Sequence, residues 1–166
     1  MSDSRTFFGK AAVLEGRADH PAVKAVVEWN GEALLDARLD RGELTLTIAP
    51  DEIRAACAAL KAAGYNFFED LTAVDWFPAS PRFRLSYALL SHRLKERIRL
   101  SVPVEEPDPA VESITPVWPG ANYFEREVFD LFGIRFEGHP NLRRILMPDD
   151  WQGYPLRKDY PVEGYR

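Results

Sequence analysis

Cysteine is nearly missing from this chain: Cys57 stands alone. A single thiol excludes a disulfide framework within the chain and points to a reducing compartment. It also excludes an ordinary iron–sulfur cluster, which takes about four thiolates, or two thiolates and two histidines. Histidine is scarce too, and His20, His92 and His139 include no pair at metal-ligand spacing. A long apolar run is absent. No segment approaches the ~18 uncharged apolar residues of a spanning helix, and the opening MSDSRTFFGKAAVLEG lacks a secretory h-region. A membrane role therefore requires another protein to hold this one there. No basic stripe interrupts a formal net charge of −5, which argues against nucleic acid as a partner. A glycine-rich phosphate loop, a GxSxG elbow and an HExxH pattern are all lacking, as are internal repeats.

What is present is an ordinary globular composition, 46% hydrophobic and 28% charged over 166 residues, enough for one domain with an appendage. His20 to Asn30 reads as a short helix opened by Pro21, with Val23, Val26 and Val27 on one face. Glu43 to Ile48 alternates as a half-buried strand, and Ala33 to Leu39 pairs with it across Asp40-Arg41-Gly42. Pro50 opens a second helix whose stripe is Ile53, Ala56, Cys57, Leu60 and Ala63, with Gly64 as its stop. No basic neighbour activates Cys57, so it reads as a small buried thiol. Asn66 to Asp75, Phe83 to Ser91 and Arg97 to Val104 complete the strands. The expected fold class is α+β: two layers, helices on one face of a mainly antiparallel sheet, followed by a C-terminal helix and an extended irregular tail.

Residues 1–104 form the expected core domain, while the first twenty show no clear pattern. Five prolines between Pro103 and Pro119 mark 105–122 as a stiff connector over the surface. Residues 123–166 hold a helix and a tail containing Leu142, Ile145, Leu146, Trp151 and Tyr154, too apolar to be disordered.

The helix, FEREVFDLFG from Phe124 to Gly133, is dense in acids. At about 100° per residue, Phe124, Val128, Leu131 and Phe132 share an arc. Asp130 and Arg126 project opposite, toward solvent or a partner. Glu125 falls inside the apolar arc. Asn122 as N-cap and Glu125 three residues on suggest a capping box, with Gly133 as the C-terminal stop. A buried Glu125 would still need a cation, from Arg135, Arg143 or Arg144. The catalytic alternative is a stand-alone hydrolase using Glu125 or Glu127 with His139 as base. The motif inventory favours structural carboxylates.

These residues carry a resemblance. The run EREVFDLFGIRFEGHPNLRRIL resembles the signature of the 30-kDa subunit family of respiratory complex I, the C subunit of the NADH–quinone oxidoreductase in bacteria. Glu125, Arg126, Glu127, Asp130, Leu131, Phe132 and His139 meet its pattern, and Arg143, Ile145 and Leu146 continue it. GYPLRKDYP, Gly153 to Pro161, looks like the family's closing motif, and GYNFFEDLTAVDW and TPVWPGANYFERE are similar to family segments. The likeness runs from about Gly64 to Pro161, with a weaker match before it. It implies a peripheral-arm subunit without a catalytic centre or cofactor of its own, packed on the 49-kDa (D) subunit and its neighbours. NADH, FMN, iron–sulfur clusters and quinone would belong to those partners, and the location would be the cytoplasmic side of the cell membrane. Among the signature residues Glu125, Arg126, Glu127, Asp130, Gly133, His139, Arg143 and Arg144 are the structural set. Leu156, Arg157, Lys158, Asp159 and Tyr160 are the expected partner contacts. The equivalent subunit of a membrane-bound hydrogenase or ferredoxin-dependent quinone reductase is the neighbouring alternative. The chain ends soon after KDYP, so contacts that longer relatives make beyond it are expected to be absent.

Overall fold

The computed structural model describes residues 7–164. Its strands are β1 (Phe7–Phe8), β2 (Leu34–Asp40), β3 (Glu43–Ile48), β4 (Phe67–Asp75), β5 (Phe83–Ser91), β6 (Glu96–Val104), β7 (Ala110–Glu112) and β8 (Arg135–Glu137). Its helices are α1 (Lys10–Arg17), α2 (Pro21–Asn30), α3 (Ile53–Ala62) and α4 (Ala121–Phe132), with a 3₁₀ turn over Pro50–Glu52 before α3. The α+β reading holds. The main sheet has six strands in the order β1-β2-β3-β6-β5-β4. Every pairing in it is antiparallel except β3 with β6, which are parallel because α3 and the β4–β5 hairpin intervene between them.

Period-two alternation decides which side chains enter the core. Leu44, Leu46 and Ile48 of β3, Leu85, Tyr87 and Leu89 of β5, and Ile98, Leu100 and Val102 of β6 all point to one face and are buried. Ile53, Ala56, Cys57 and Leu60 of α3 and Ala22, Val23 and Val26 of α2 close over them. Cys57 is buried, and that burial, with the field of Glu125 second, pushes its thiol far above the ordinary range. An inert core thiol is the result.

Two elements differ from the sequence expectation. Helix α1 shows no clear pattern because it buries only Val13. The proline-rich segment is not a surface connector. Its prolines at Pro107, Pro116 and Pro119 are exposed, but the residues between them turn inward, burying Val111, Ile114 and Trp118. Trp118 stacks on Phe68, which also meets Phe124 edge-on. Strand β7 pairs in parallel with β8 in a second, two-stranded sheet. Proline breaks regular structure without preventing burial of what lies beside it.

Candidate functional site

Helix α4 packs against β4, and the segments on either side of it converge on its carboxylates. Glu125 is fully buried, as its place in the apolar arc requires. The capping box is not formed: the helix begins at Ala121 after Gly120 without a side-chain cap, which puts Asn122 inside the first turn. Glu125 instead accepts hydrogen bonds from Ser113 Oγ at 2.6 Å and from the Ile114 amide at 2.7 Å, tying α4 to the proline-rich segment. The Ser113 hydroxyl also lies 2.7 Å from Thr115 Oγ1 and accepts from the Thr115 amide. Burial raises the Glu125 pKa to about 7. Ser113, Ile114 and the field of Arg54 oppose that rise only in part.

The expected cations are engaged elsewhere. Arg135 pairs with Asp108, Arg144 with Asp130, and Arg143 is exposed. Arg54 of α3 is the one that matters here, donating to the Ser113 carbonyl at 2.8 Å and the Glu137 carbonyl at 2.9 Å while pairing with Glu112. No local pattern marks Arg54 for this role, because its partners, two backbone carbonyls and the Glu112 carboxylate, come from two distant segments.

His139 lies with Nε2 4.0 Å from Glu125 Oε2. Its Nδ1 accepts from the Asn141 amide at 3.0 Å, which assigns the proton to Nε2, facing the Asn122 carbonyl at 3.3 Å. Burial lowers its pKa below the ordinary value. Both ring nitrogens are occupied, so the side chain acts as a neutral crosslink between the β8 loop and α4.

Asp130 is also fully buried, contrary to its expected outward projection. A helical wheel treats the far side of α4 as solvent, whereas the tail folds back over it. Asp130 Oδ2 accepts the amides of Ile145 at 3.0 Å, Leu146 at 2.7 Å and Met147 at 2.9 Å, and Oδ1 takes Arg144 at 2.7 Å. Burial pushes its pKa upward, but these amides and Arg144 outweigh it and hold the carboxyl below its usual value. Successive amides aimed at one anion form a nest. Arg144 goes on to the carbonyls of Trp151 and Gly153 and sits over the Tyr154 ring, while Arg126 holds the carbonyls of Arg143 and Arg144. Glu127 is exposed. We expect Asp130→Asn to lower stability by about 2 kcal/mol, since an amide keeps only part of the acceptor capacity for the nest and loses the charge facing Arg144. Urea denaturation checks this, and an unchanged midpoint would contradict it.

Gly133 ends α4 in the left-handed region at φ 72°, its amide bonded to the Phe129 carbonyl. A Cβ there would come within 2.4 Å of the Tyr154 ring. Gly133→Ala should therefore strain the backbone and push Tyr154 off the helix end, costing about 1–2 kcal/mol from the backbone alone. Faster proteolytic cutting of the tail than in the parent chain is the expected readout.

Past Tyr154 the tail crosses to the sheet. The Leu156 amide bonds to the Leu131 carbonyl, and Arg157 donates to the Phe132 carbonyl at 2.6 Å while lying over Phe83 and Tyr154. The Lys158 amide reaches Asp75 Oδ2 at 2.8 Å, and Asp159 binds Arg82. Arg157 and Asp159 thus direct their charge into their own chain. Leu156 and Lys158 are exposed, and Tyr160 is half-buried. Around them Tyr123, Ile145, Leu146 and Trp151 also stand in solvent, Leu146 at 56% and Leu156 at 52% exposure. Arg82 and Asp75, absent from the residues singled out in the sequence, prove central to the tail.

Comparison with known proteins places this geometry. The family model of the respiratory-chain NADH dehydrogenase 30 Kd subunit matches residues 46–166, taking in the weaker likeness before Gly64. The chain is 46% identical over 144 residues to the C subunit of the NADH-quinone oxidoreductase of Citrifermentans bemidjiense, covering 86% of this chain and 89% of that protein. It is 47% identical over 148 residues to the protein of the same name from Roseiflexus castenholzii, covering 87% and 85%. Among solved structures, a trypsin-resistant fragment of Nqo5 superposes with a TM-score of 0.65 at 32% identity, covering 74% of this chain and 99% of that one. A chain of the archaeal membrane-bound sulfane sulfur reductase superposes with a TM-score of 0.75 over 88% of this chain and 86% of that one, and at 22% identity shares the fold.

Proposed function

This chain belongs to the family of the respiratory-chain NADH dehydrogenase 30 Kd subunit, the C subunit of NADH-quinone oxidoreductase, and from that premise we propose that it is a non-catalytic component that docks on the 49-kDa (D) subunit and positions the quinone-reducing module. The observation that carries the docking role is the tail. Its amides donate to Asp130, its carbonyls accept from Arg126 and Arg144, and its Arg157 donates to the Phe132 carbonyl, yet it turns Leu146, Trp151 and Leu156 outward. An irregular segment this firmly preorganised loses little entropy on binding, and its exposed apolar side chains supply the area a partner buries.

The non-catalytic reading rests on what the signature acids do. Glu125 and Asp130 receive backbone amides and hydroxyls, His139 has both nitrogens engaged, and Glu127 faces solvent. None forms the nucleophile–base–pocket arrangement that hydrolysis needs. In the assembly, NADH, FMN, iron–sulfur clusters and quinone are assigned to the partner chains, consistent with a single buried cysteine here. No helix among the described residues is long and apolar enough to cross a membrane. We place the chain peripherally, on the cytoplasmic side, held by its partners.

The test is co-purification of the tagged chain from detergent-solubilised membranes. Wild type is expected to bring down NADH:quinone oxidoreductase activity and the 49-kDa partner. The double change Leu146→Asp with Leu156→Asp is expected to reduce that recovery at least about tenfold, as loss of two desolvated apolar anchors does, while leaving the fold intact. Recovery of wild type solely as a free species would refute the reading.

A further inference from the structure

Among the described residues, the alternation that fills the core leaves the opposite face of the main sheet open. On that face one lateral row crosses five strands in register: Thr72 beside Ser86, Ser86 beside Ser101, Ser101 beside Thr47, and Thr47 beside Asp36. Four adjacent hydroxyl residues in place of the usual long side chains make a trough across the strands. At ~4.8 Å between strands, the row from β4 to β2 runs for about 19 Å, the reach of roughly six extended residues. One wall is built by Val74, Trp76 and Arg84, and the other by Arg38, Arg99 and Glu43, enclosing a groove of about 510 Å³. Trp76 is 52% exposed at its end.

Two observations indicate an occupant. Ser101 lines the floor at 4% exposure, and its Oγ has no hydrogen-bond partner among the described residues, a state that buried hydroxyls rarely keep. Among the described residues that line it, the groove also carries four arginines against three carboxylates, on a chain whose net charge is −5. Arg38 pairs with Asp40 and Arg99 with Glu43. Arg84 and Arg41 have no carboxylate partner among the described residues. A small ligand would normally be engulfed by a mostly apolar pocket, whereas this trough is polar and open along a sheet face. Hydroxyls for backbone and carboxylate oxygens, spare guanidinium groups and one aromatic end suit a length of polypeptide.

We propose that this face is a second docking groove, and that it takes an extended, carboxylate-bearing segment of a partner chain laid across the strands. The inference rests on the subunit reading above but uses a face opposite to the α3 and α2 layer. The segment's carboxylate meets Arg84, its backbone oxygens meet the hydroxyl row, and an apolar side chain covers Trp76.

The experiment uses the whole tagged chain in solubilised membranes. A photoreactive benzoylphenylalanine replaces Ser86, and Arg84→Glu and Arg84→Gln are made separately. Crosslinking of position 86 to an acidic stretch of one other component of the assembly supports the proposal. So does an Arg84→Glu chain that melts like wild type but is recovered about tenfold less with the assembly, with Arg84→Gln intermediate. Crosslinks to a second copy of this chain or to lipid overturn it. Wild-type recovery of both Arg84 variants with no crosslink overturns it as well. Failure of the unmodified chain to co-purify at all would instead sink the subunit reading, which keeps the two outcomes apart.

Discussion

Arg82→Ala is expected to be among the most damaging single substitutions outside the apolar core, lowering stability by about 3–5 kcal/mol and releasing the tail. All five guanidinium N–H groups are used. Nε and one terminal nitrogen form a fork on Asp75 at 2.9 and 2.8 Å, and the terminal nitrogens also bind Glu106 and, at 2.6 and 3.0 Å, Asp159. The group lies over the rings of Phe77 and Phe83. Arg82 and Asp75 are almost fully buried, while Asp159 and Glu106 are partly open to solvent. Removing the arginine leaves the Asp75 carboxylate buried with only the Phe77 and Lys158 amides. Burial works to raise the Asp75 pKa, and the bonds from Arg82 and those amides overcome it to hold the value at about 2. A depressed folded pKa contributes stability above the unfolded value of 3.8 and loses it as pH falls toward 2. Arg82→Ala should therefore also flatten the acid limb of the stability profile. Arg82→Lys should rescue little, because a point charge cannot make the planar fork. Guanidinium denaturation at pH 7 and pH 3, with limited proteolysis of the tail, reads these effects. A tail as resistant as wild type in a well-folded Arg82→Ala chain would refute the clamp.

Arg82 also shows what a sequence withholds. Phe83, Leu85, Tyr87 and Leu89 announce β5 by their alternation, and the six-residue strand Glu43–Ile48 is equally plain. Local period is a property of neighbours, so it is legible. Arg82, just before β5, joins Asp75 seven residues earlier to Asp159 seventy-seven residues later. That pairing depends on where the tail returns. Asp130 fails the same way: a helical wheel knows the helix but not the segment 145–147 that covers its far side. The capping-box expectation erred because Glu125 had a better use, since a buried carboxylate between Ser113 and Ile114 satisfies more donors than one folded back on its own first turn. Family likeness picked out Glu125, Asp130 and His139 as a set without saying that each fastens a different segment to one helix.

The Glu125 carboxyl yields the second large effect, and its sign is opposite to that of Asp75. Its folded pKa of about 7 lies above the ordinary 4.5. Between those values the folded state binds a proton that the unfolded state has released, so this group's contribution is fully present below about 4.5 and disappears as pH rises through 7. The difference corresponds to about 3 kcal/mol. His139 opposes it near neutrality, because its lowered pKa makes the folded state less stable as pH falls below 6.5. Asp75, Asp130 and Asp159, all held below 3.8, act at lower pH. Comparing wild type with Glu125→Gln isolates the carboxyl from the others. The neutral amide keeps an acceptor for the Ile114 amide and sheds the buried charge. The stability of Glu125→Gln relative to wild type should rise by about 2.5 kcal/mol from pH 5 to pH 8. Glu125→Ala, which orphans the buried Ile114 amide and leaves the Ser113 hydroxyl only Thr115 as a partner, should be less stable than Glu125→Gln throughout. A Gln variant that tracks wild type in parallel across the range would mean that the carboxylate remains ionised in the fold. In the proposed assembly the consequence is specific: the proline-rich segment and the tail are both fastened to α4. Glu125→Gln should therefore preserve docking at pH 8 under conditions where Glu125→Ala loses it.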